Sequence, residues 1–564
     1  MMRHLMLSLL ILAAASAAMA APKYAERWNY VGANLSSDAG VDTFLKVLQQ
    51  SKDVGCTHIL MPEGGYFNLP DNPAYLKRVA KVKEKARELN LVLVPTVYSL
   101  GYSGRYLGSD PNLAAGLPVK DEPFTVSGKT AQVDPSLAID CSGLKPVENG
   151  NIDARLKARP YTQYSIRFTM KKEFNGDADE MVRISTCSGK RWVTRQHPIM
   201  YKDGSRLIAQ TVFNTLELEG GEMRVQIMMP CEDIQIEPVG MSQIVRRELT
   251  PLTVTSEDGK AVYVEGQDFK AVKDPVLLTA PDWSAAPTMV AVPRIMGPAI
   301  ELTDGSRIKD RQKLLVSFFH AYRIYGDQDE ISMEDPKVFK LMERDAANCV
   351  KVWGTTGYFM NYDEIRICGW ETMPGGKPMT PGQILAGHVR KGYDFIRKNA
   401  PDAIVYTWSD MFSPFENATG PDDYKMTPEG LIKVPHPAMA APNRYYYLVH
   451  DFWEGSWEGL PKDTKIFTWA AHNSDDIEFF AQRGQEQILC GYYDGKTEKQ
   501  MKNNISRWLK LSEGQKGILG FMYTTWGHNY KNLMPYFDLL DTADKWMTTG
   551  APTTDKVEGM PTGG

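Results

Sequence analysis

Short apolar runs alternate with amphipathic segments in the first hundred residues of the chain. The runs WNYVGA, THILMPE and LVLVPTV each have the length and composition of a buried strand. After the first run, Val41, Phe44, Leu45 and Leu48 recur at the spacing of one helical face. A second helix is predicted over residues 75–89. This order of strand, helix, strand, helix and strand, with short connections, predicts a parallel α/β sheet.

The pattern changes between residues 119 and 282. Segments in which apolar and polar residues alternate, such as YSIRFTMKK, LIAQTVFNTLEL and MRVQIMM, are separated by turn sequences such as EGGE and EDG. Regularly spaced short strands are typical of an all-β sandwich. Because the α/β pattern resumes afterwards, we predict that this sandwich is inserted into the α/β domain.

Five more strands are predicted in the second half of the chain, within GYFMNYDEI, AIVYTWSDMF, KIFTWAAHN, QILCGYYDG and GILGFMYTTWGHN. With the three early strands they make eight, the number in a (β/α)8 TIM barrel. The apolar run 314–322 is interpreted as extra to the barrel. The predicted fold class is α/β, a TIM barrel with an all-β sandwich inserted between barrel strand three and the helix before strand four. The predicted domains are the first barrel part 21–118, the sandwich 119–282 and the second barrel part 283–564.

The amino terminus has the features of a secretory signal peptide. Arg3 precedes an apolar run from about Leu5 to Ala15, and Ala18-Met19-Ala20 has the small-x-small pattern of a cleavage site. We predict that residues 1–20 are removed by cleavage near Ala20 and that the product is periplasmic or extracellular. No later stretch offers about 18 continuous apolar residues, so no membrane partner is predicted.

Composition and charge narrow the classes of partner. A formal net charge of −5 over 564 residues argues against a nucleic-acid partner held through phosphate contacts. The seven cysteines lie far apart and no Cys or His motif has metal-ligand spacing, so neither a metal nor a cofactor is predicted. The chain has 12 Trp and 26 Tyr, the residue types that stack on sugar rings. A carbohydrate, as a glycan or an oligosaccharide, is therefore the expected substrate.

Acidic and aromatic residues follow the predicted barrel strands. The active site of a barrel lies at the carboxyl ends of its strands, and Asp363 and Glu364 come directly after the fourth. We therefore predict that Glu364 and Asp363 are catalytic. The candidate substrate-binding residues are polar or aromatic residues near predicted strand ends: Arg366, Trp408, Asp410, Trp469, Tyr492, Tyr493, Asp494, Trp526, His320 and Asn529. Tyr492 and Tyr493 point to opposite faces of their strand, so at most one of them is expected in the pocket.

Structural roles compete with these functional ones. An acidic dipeptide in a loop is most often a solvated turn, and a lone histidine such as His320 is more often structural than catalytic. Arg366 most often pairs with a neighbouring carboxylate to hold it in place. Each of Trp408, Trp469 and Trp526 could be a core residue, but a Trp near the ends of three different strands favours walls around a sugar.

Adjacent carboxylates limit the mechanism. Glycosidases normally place two carboxylates on opposite sides of the scissile bond, which neighbouring residues cannot easily do. They can serve a substrate-assisted reaction, in which the 2-acetamido oxygen of the sugar attacks the anomeric carbon while Glu364 protonates the leaving oxygen and Asp363 orients the acetamido nitrogen. The acid must stay protonated near neutral pH, and burial beside tryptophan is expected to raise the pKa of Glu364.

The motifs after four strands resemble those of glycoside hydrolase family 20, the β-N-acetylhexosaminidases. They are Asp-Glu after strand four, Trp-Ser-Asp after strand five, Tyr-Tyr-Asp-Gly after strand seven and Gly-x-x-Gly followed by Trp at strand eight. The resemblance covers the α/β part only. It implies Glu364 as the general acid/base and Asp363 as the partner that orients the acetamido group. It also implies that the pocket walls are Trp408, Trp469 and Trp526. The implied substrate contacts are Asp494 and either Tyr492 or Tyr493.

The chain also departs from the pattern of this family. Phe-Met-Asn-Tyr precedes the acid pair where the family usually has His-x-Gly-Gly, and the arginine expected after strand one is missing from NYVGANLSSD. The chain therefore resembles a distant relative of family 20.

Two other interpretations stay open. One is a two-carboxylate glycosidase acting on another sugar, with Glu364 as acid and Asp410, Glu454 or Asp494 as its partner. The other is a carbohydrate-binding protein without catalysis, with the sandwich as a lectin-like module.

Overall fold

The structure, a computed structural model, describes residues 24–32, 34–62, 69–173, 181–186, 199–273, 296–324, 328–371, 378–435, 448–469 and 473–547. The predicted signal peptide, residues 1–20, lies outside these residues. The first part of the chain forms strands β1 (Glu26–Tyr30), β2 (His58–Met61) and β3 (Val92–Ser99), with helices α1 (Asp38–Asp53) and α2 (Pro73–Glu88) between them. A short helix, α3 (Gly104–Leu107), follows β3.

Local sequence explains where α1 begins and which face it buries. The Ser37 side chain accepts a hydrogen bond from the N–H of Gly40, which satisfies one of the free donors at the helix start. Val41, Phe44 and Leu48 are buried, as the helical spacing predicts.

The chain between β3 and the next barrel strand is dominated by antiparallel strands. They are β4 (Leu117–Ser127), β5 (Thr130–Val133), β6 (Ile152–Lys157), β7 (Gln163–Met170), β8 (Val182–Thr186), β9 (Ile199–Asp203), β10 (Arg206–Asn214), β11 (Glu222–Ile227), β12 (Cys231–Pro238), β13 (Ile244–Val245), β14 (Thr253–Ser256), β15 (Val262–Tyr263), β16 (Ile300–Glu301) and β17 (Lys313–His320).

These strands form three sheets. Two have the orders β12-β7-β10-β9 and β6-β11-β8, and residues of both, such as Ile166, Phe213, Ile184 and Val225, share one buried cluster, so the two sheets pack face to face. The third has the order β15-β14-β17-β4-β5-β16, with β13 also paired to β17. The run predicted to be extra to the barrel is β17, which pairs with β4, so the antiparallel part of the chain continues beyond residue 282.

The last part of the chain returns to the α/β pattern. Its strands are β18 (Gly357–Asn361), β19 (Ile367–Cys368), β20 (Ile404–Trp408), β21 (Asp423–Thr427), β22 (Gly430–Val434), β23 (Leu448–Val449), β24 (Lys465–Thr468), β25 (Gln487–Tyr492) and β26 (Ile518–Thr524). Its helices are α4 (Pro336–Trp353), α5 (Pro381–Asn399), α6 (Ser474–Gln482), α7 (Glu498–Leu511), α8 (Leu533–Asp541) and α9 (Ala543–Trp546). Among the described helices, none is both long enough and apolar enough to cross a membrane.

Eight parallel strands close into a barrel in the order β1-β2-β3-β18-β20-β24-β25-β26. The last strand pairs with the first, with Trp28 opposite Met522, and these eight are the strands that the sequence predicts. The prediction of a closed eight-stranded parallel barrel is confirmed. Large side chains fill its interior, among them Trp28, Phe359 and Tyr406. All eight carboxyl ends open on one face, where most of the candidate residues lie.

Candidate active site

The acid pair follows β18 on a loop whose backbone is fixed from three sides. Glu364 has φ +48°, a left-handed conformation that is unfavourable for a residue with a side chain. Its N–H donates to Oδ2 of Asp410 at 3.0 Å, and its carbonyl accepts from the amide Nε2 of Gln328 at 2.7 Å. From the third side, the loop after β3 packs so closely that a Cβ at Gly101 would lie 2.1 Å from the carbonyl oxygen of Asp363. Position 101 therefore accepts only glycine while the acids stay where they are.

The carboxylate of Glu364 lies between a phenol and a guanidinium. Oε2 accepts a hydrogen bond from the Tyr102 hydroxyl at 2.5 Å, and Oε1 lies 3.4 Å from a guanidinium nitrogen of Arg366. Arg366 is buried, whereas the Glu364 side chain is 26% exposed. The carboxylate of Glu330 accepts the N–H groups of Arg366 and Ile367, both at 2.6 Å, and so fixes the backbone beside that guanidinium. These contacts leave Glu364 anchored but open to a ligand.

Asp363 has one carboxyl oxygen that is buried beside two other acidic residues, Glu364 and Asp410. The residue is half-buried, and its buried Oδ1 has no hydrogen-bond partner within the described part of the chain. Burial raises the pKa of Asp363 well above its ordinary range, and the negative charges of Asp410 and Glu364 raise it further. The Tyr30 hydroxyl interacts with the same carboxyl group: burial, and next the charge of Asp363, raise the pKa of Tyr30. An unpaired buried carboxyl oxygen is costly and complements a donor on a ligand.

Asp410 lies beside the acid pair at the end of β20. It is 7% exposed, and its Oδ2 accepts from the N–H of Glu364 and from Asn417 Nδ2 at 3.1 Å. Its buried Oδ1, like that of Asp363, has no partner in the described residues. Burial is the main reason why the pKa of Asp410 is raised to about 6, and the charge of Glu364 adds to it. Burial therefore raises the pKa of two carboxyl groups next to Glu364, those of Asp363 and Asp410.

Four aromatic rings pack together at the same face of the barrel. The Trp526 ring lies 4.9 Å from Tyr30, 5.2 Å from Trp469 and 6.1 Å from Trp408, measured between centroids and with edge-to-face geometry. Trp408 is 4% exposed and belongs to the barrel core, whereas Trp526 is 39% exposed. The three predicted tryptophans are thus in one cluster, and Tyr30 connects this cluster to Asp363. Trp526 offers the most accessible surface to a ligand.

Three other predicted residues lie at the carboxyl ends of β25 and β26. Asp494 accepts the N–H of Gly527 at 2.8 Å and a hydrogen bond from the Thr525 hydroxyl. Tyr492 is half-buried, and burial together with the charge of Asp494 raises its pKa. Asn529 has a structural contact, since its side chain accepts from the N–H of Lys531 and caps the short turn that follows.

The structure does not bring Tyr493 to this group. Its buried ring packs on Tyr523 and Tyr536, at 5.3 and 4.3 Å between centroids, and its hydroxyl donates to Asn504 of α7 at 2.8 Å. Tyr493 therefore faces the layer between the barrel and its helices, which leaves Tyr492 as the tyrosine on the other side of the strand.

His320 is also placed elsewhere. It ends β17, is fully buried, and its ring nitrogens lie 2.9 Å from Asn214 Nδ2 and 3.2 Å from Gln163 Nε2. Burial lowers the pKa of His320 to about 4, so the ring is neutral at physiological pH. It joins strands of two antiparallel sheets, and a structural role explains all of these contacts.

Three residues around the acids were not singled out from the sequence: Tyr102, Gln328 and Glu330. Tyr102 carried a usable signal, because it follows the end of the third predicted strand and therefore lies at the active face of a barrel. Gln328 and Glu330 gave no such signal, since they precede a helix and follow no barrel strand.

No family model matches the chain, and no curated protein matches it. A rhamnosidase from Novosphingobium sp. PP1Y is 11% identical with a TM-score of 0.35, and the match covers 93% of this chain but only 59% of the rhamnosidase. The tandem GH20 catalytic modules of a pneumococcal exo-β-D-N-acetylglucosaminidase match at 8% identity and TM-score 0.35, over 92% of this chain and 84% of that one. A GH20 exo-β-N-acetylglucosaminidase from Vibrio harveyi, in complex with N-acetylglucosamine, matches at 9% identity and TM-score 0.26, over 74% and 95%.

Proposed function

We propose that the protein is a glycoside hydrolase that cleaves a β-linked N-acetylhexosamine by substrate-assisted catalysis, with Glu364 as general acid/base and Asp363 as its partner. The proposal rests on the buried Oδ1 of Asp363, which has no hydrogen-bond partner in the described residues. The next residue, Glu364, has a carboxyl group that is partly exposed. The N–H of an acetamido group is a donor that this oxygen can accept. The tryptophan cluster beside it offers apolar faces to the sugar ring.

The proposed reaction has two steps. In the first, the acetamido oxygen forms a bond to the anomeric carbon while the bond to the leaving oxygen breaks, and Glu364 gives its proton to that oxygen. The acetamido nitrogen becomes positively charged, and the Asp363 carboxylate stabilises this charge. In the second, Glu364 removes a proton from water, which attacks the anomeric carbon and releases the acetamido oxygen. The anomeric carbon regains its original configuration, and Glu364 is protonated again.

The raised pKa of Asp363 fits this role in a defined way. Burial and neighbouring negative charges favour the protonated form before substrate binds. When the acetamido N–H donates to Oδ1, this hydrogen bond favours the ionised form of Asp363. The positive charge that develops on the acetamido nitrogen favours the same form. Ionisation of Asp363 is therefore coupled to the presence of an acetamido group, which gives a physical reason for selecting N-acetylated substrates.

A second candidate mechanism uses Glu364 with Asp410 as the partner carboxylate. It is favoured by one observation, the unpaired Oδ1 of Asp410 directly beside the Glu364 backbone. Of the two other possible partner carboxylates, Asp494 accepts hydrogen bonds from Thr525 and from the N–H of Gly527. Glu454 forms an ion pair with Lys433 and lines a cleft with Asp451.

A panel of aryl β-glycosides, with and without the 2-acetamido group, tests the proposed function. Wild-type protein is expected to cleave the N-acetylated substrates, and Glu364→Gln to lose at least about 100-fold in kcat on those whose aryl group is a poor leaving group, such as unsubstituted phenyl. Equal cleavage by both proteins removes Glu364 from the mechanism, and a preference for substrates lacking the acetamido group removes substrate assistance. Retained glycan binding with no turnover by either protein would indicate a carbohydrate-binding protein instead.

Two isosteric variants separate the mechanisms. If Asp363 stabilises the acetamido nitrogen, Asp363→Asn lowers kcat more on N-acetylated than on other substrates, whereas Asp410→Asn affects both alike. If Asp410 is the partner carboxylate, it must be ionised, and kcat falls as the pH drops below about 6, the value to which its pKa is raised. Absence of that acid limb, together with a dominant effect of Asp363→Asn, supports the first mechanism.

Export of the protein is part of the same proposal. The basic, apolar and small-residue order of residues 1–20 supports cleavage near Ala20. Amino-terminal sequencing of the product from a fractionated bacterial culture tests this, with a start near residue 21 expected and an intact amino terminus in the cytoplasm contradicting it.

A further inference from the structure

Tyr102 makes the shortest described contact with the catalytic pair. It belongs to the loop that follows β3, and its hydroxyl donates to Oε2 of Glu364 at 2.5 Å. Hydrogen bonds of this length to an ionised acceptor are among the stronger ones in proteins. The contact joins two loops of the barrel face and is independent of the Arg366 guanidinium, which lies by the other carboxyl oxygen at 3.4 Å.

The loop that carries Tyr102 is rigid on both sides of it. Before it, Gly101 packs against the Asp363 carbonyl with no room for a side chain. After it, the Ser103 hydroxyl lies within hydrogen-bond distance of the carbonyl groups of Ser99 and Leu100, at 2.9 and 2.8 Å. The Ser103 N–H donates to the carbonyl of Asp329. The phenol is therefore presented to Glu364 at a fixed position, and little entropy is lost when the hydrogen bond forms.

We propose that Tyr102 is a positioning residue for Glu364: its hydroxyl holds the carboxyl group in one orientation and stabilises the carboxylate over the carboxylic acid. The catalytic part of this inference rests on the proposed function. When Glu364 gives its proton to the leaving oxygen, the carboxylate that remains accepts the Tyr102 hydroxyl, which keeps its own proton. Tyr102 thereby stabilises the charge that Glu364 acquires as the glycosidic bond breaks.

Tyr102→Phe removes this donor and leaves the ring in place. A hydrogen bond to a charged group, at a site that is about one quarter exposed, corresponds to a rise of about one pH unit in the titration midpoint of Glu364. The alkaline limb of kcat/KM moves up by the same amount, because the acid keeps its proton to higher pH. We expect kcat to fall about tenfold with KM little changed, since the lost contact is made to the acid and not to the sugar.

Tyr106→Phe is the matched control. It lies four residues away, and its hydroxyl donates to the buried carboxylate of Asp345 at 2.6 Å, so the same atom is removed from a comparable contact outside the site. It is expected to leave both the titration of Glu364 and the pH profile unchanged, although it lowers stability.

The experiment combines two readouts. Protein labelled with 13C at the glutamate carboxyl carbon is titrated by NMR, and the Glu364 signal is identified by its loss in Glu364→Gln. A midpoint raised by about one unit in Tyr102→Phe and not in Tyr106→Phe supports the inference, whereas an unchanged midpoint, or an equal rise in both variants, overturns it. The pH profiles of kcat/KM for the three proteins give the second readout. If wild type cleaves no glycoside the proposed function fails, and the NMR titration still decides the inference.

Discussion

Glu122 is a fully buried carboxyl group whose ionisation lowers the stability of the fold. It lies in β4, is 0% exposed, and neither of its carboxyl oxygens has a hydrogen-bond partner in the described residues. Burial raises its pKa from 4.5 to about 8, against a smaller opposing effect of the Arg159 charge. Glu122→Gln keeps the size and polarity of the side chain and removes only its titration.

The sign of the effect follows from proton binding. Because the folded-state pKa is above the unfolded one, the folded protein binds more protons between pH 4.5 and 8. The contribution of Glu122 to stability is therefore complete below about pH 4.5 and is lost as the pH rises to about 8. Over the interval from pH 6 to pH 9 the loss is about 2.7 kcal/mol, at 1.36 kcal/mol per pH unit, or a factor of about 100 in the opening equilibrium.

Hydrogen exchange of the β4 amides measures this local opening. After correction for intrinsic exchange rates, the amides of wild type are expected to open about 100-fold more readily at pH 9 than at pH 6, and those of Glu122→Gln to lack this increase. Glu248→Gln, a change at an exposed glutamate of the same antiparallel region, is the control and should behave as wild type. The same pH dependence in wild type and Glu122→Gln would show that Glu122 is not the group that titrates.

Two further predictions concern the site. Trp526→Ala is expected to raise KM several-fold at little cost in stability, whereas Trp408→Ala should cost about 3–5 kcal/mol of stability because this ring fills the barrel core. Steady-state kinetics and thermal unfolding measure the two effects. Equal losses of stability in both variants would contradict this assignment. Gly101→Ala should lower kcat at least about tenfold, because its Cβ displaces the loop at Asp363, whereas Gly387→Ala in α5, where a Cβ meets nothing within 4 Å, should keep full activity and gain about 0.5–1 kcal/mol. Unchanged kinetics of Gly101→Ala would show that the loop yields freely.

Local sequence signals account for much of the fold. The start of α5 follows from its own sequence, because Thr380 and Gln383 form a capping box and a proline occupies the first turn. The eight barrel strands could be recognised because each is a short apolar run that continues into polar residues at its carboxyl end. These features depend only on neighbours along the chain, which is why the sequence alone reveals them.

Contacts between distant segments could not be predicted in this way. Tyr102 and Glu364 are 262 positions apart, and no local pattern connects them. The side of β25 that each tyrosine takes was left open by strand alternation, and it is decided by the rings of Tyr523 and Tyr536, which receive Tyr493. The apolar run of β17 resembles a barrel strand, and only its pairing with β4 assigns it to an antiparallel sheet.

The dependence of rate on the leaving group tests the role of Glu364 most directly. A general acid is needed most when the departing oxygen is a poor leaving group and least when it leaves readily as an anion. Glu364→Gln is expected to lose at least about 100-fold in kcat/KM on an N-acetylhexosaminide with an alkyl or sugar aglycone, and less than about tenfold on one with a dinitrophenyl aglycone. Equal losses on both substrates, or no loss on either, would contradict the assignment of Glu364 as the proton donor.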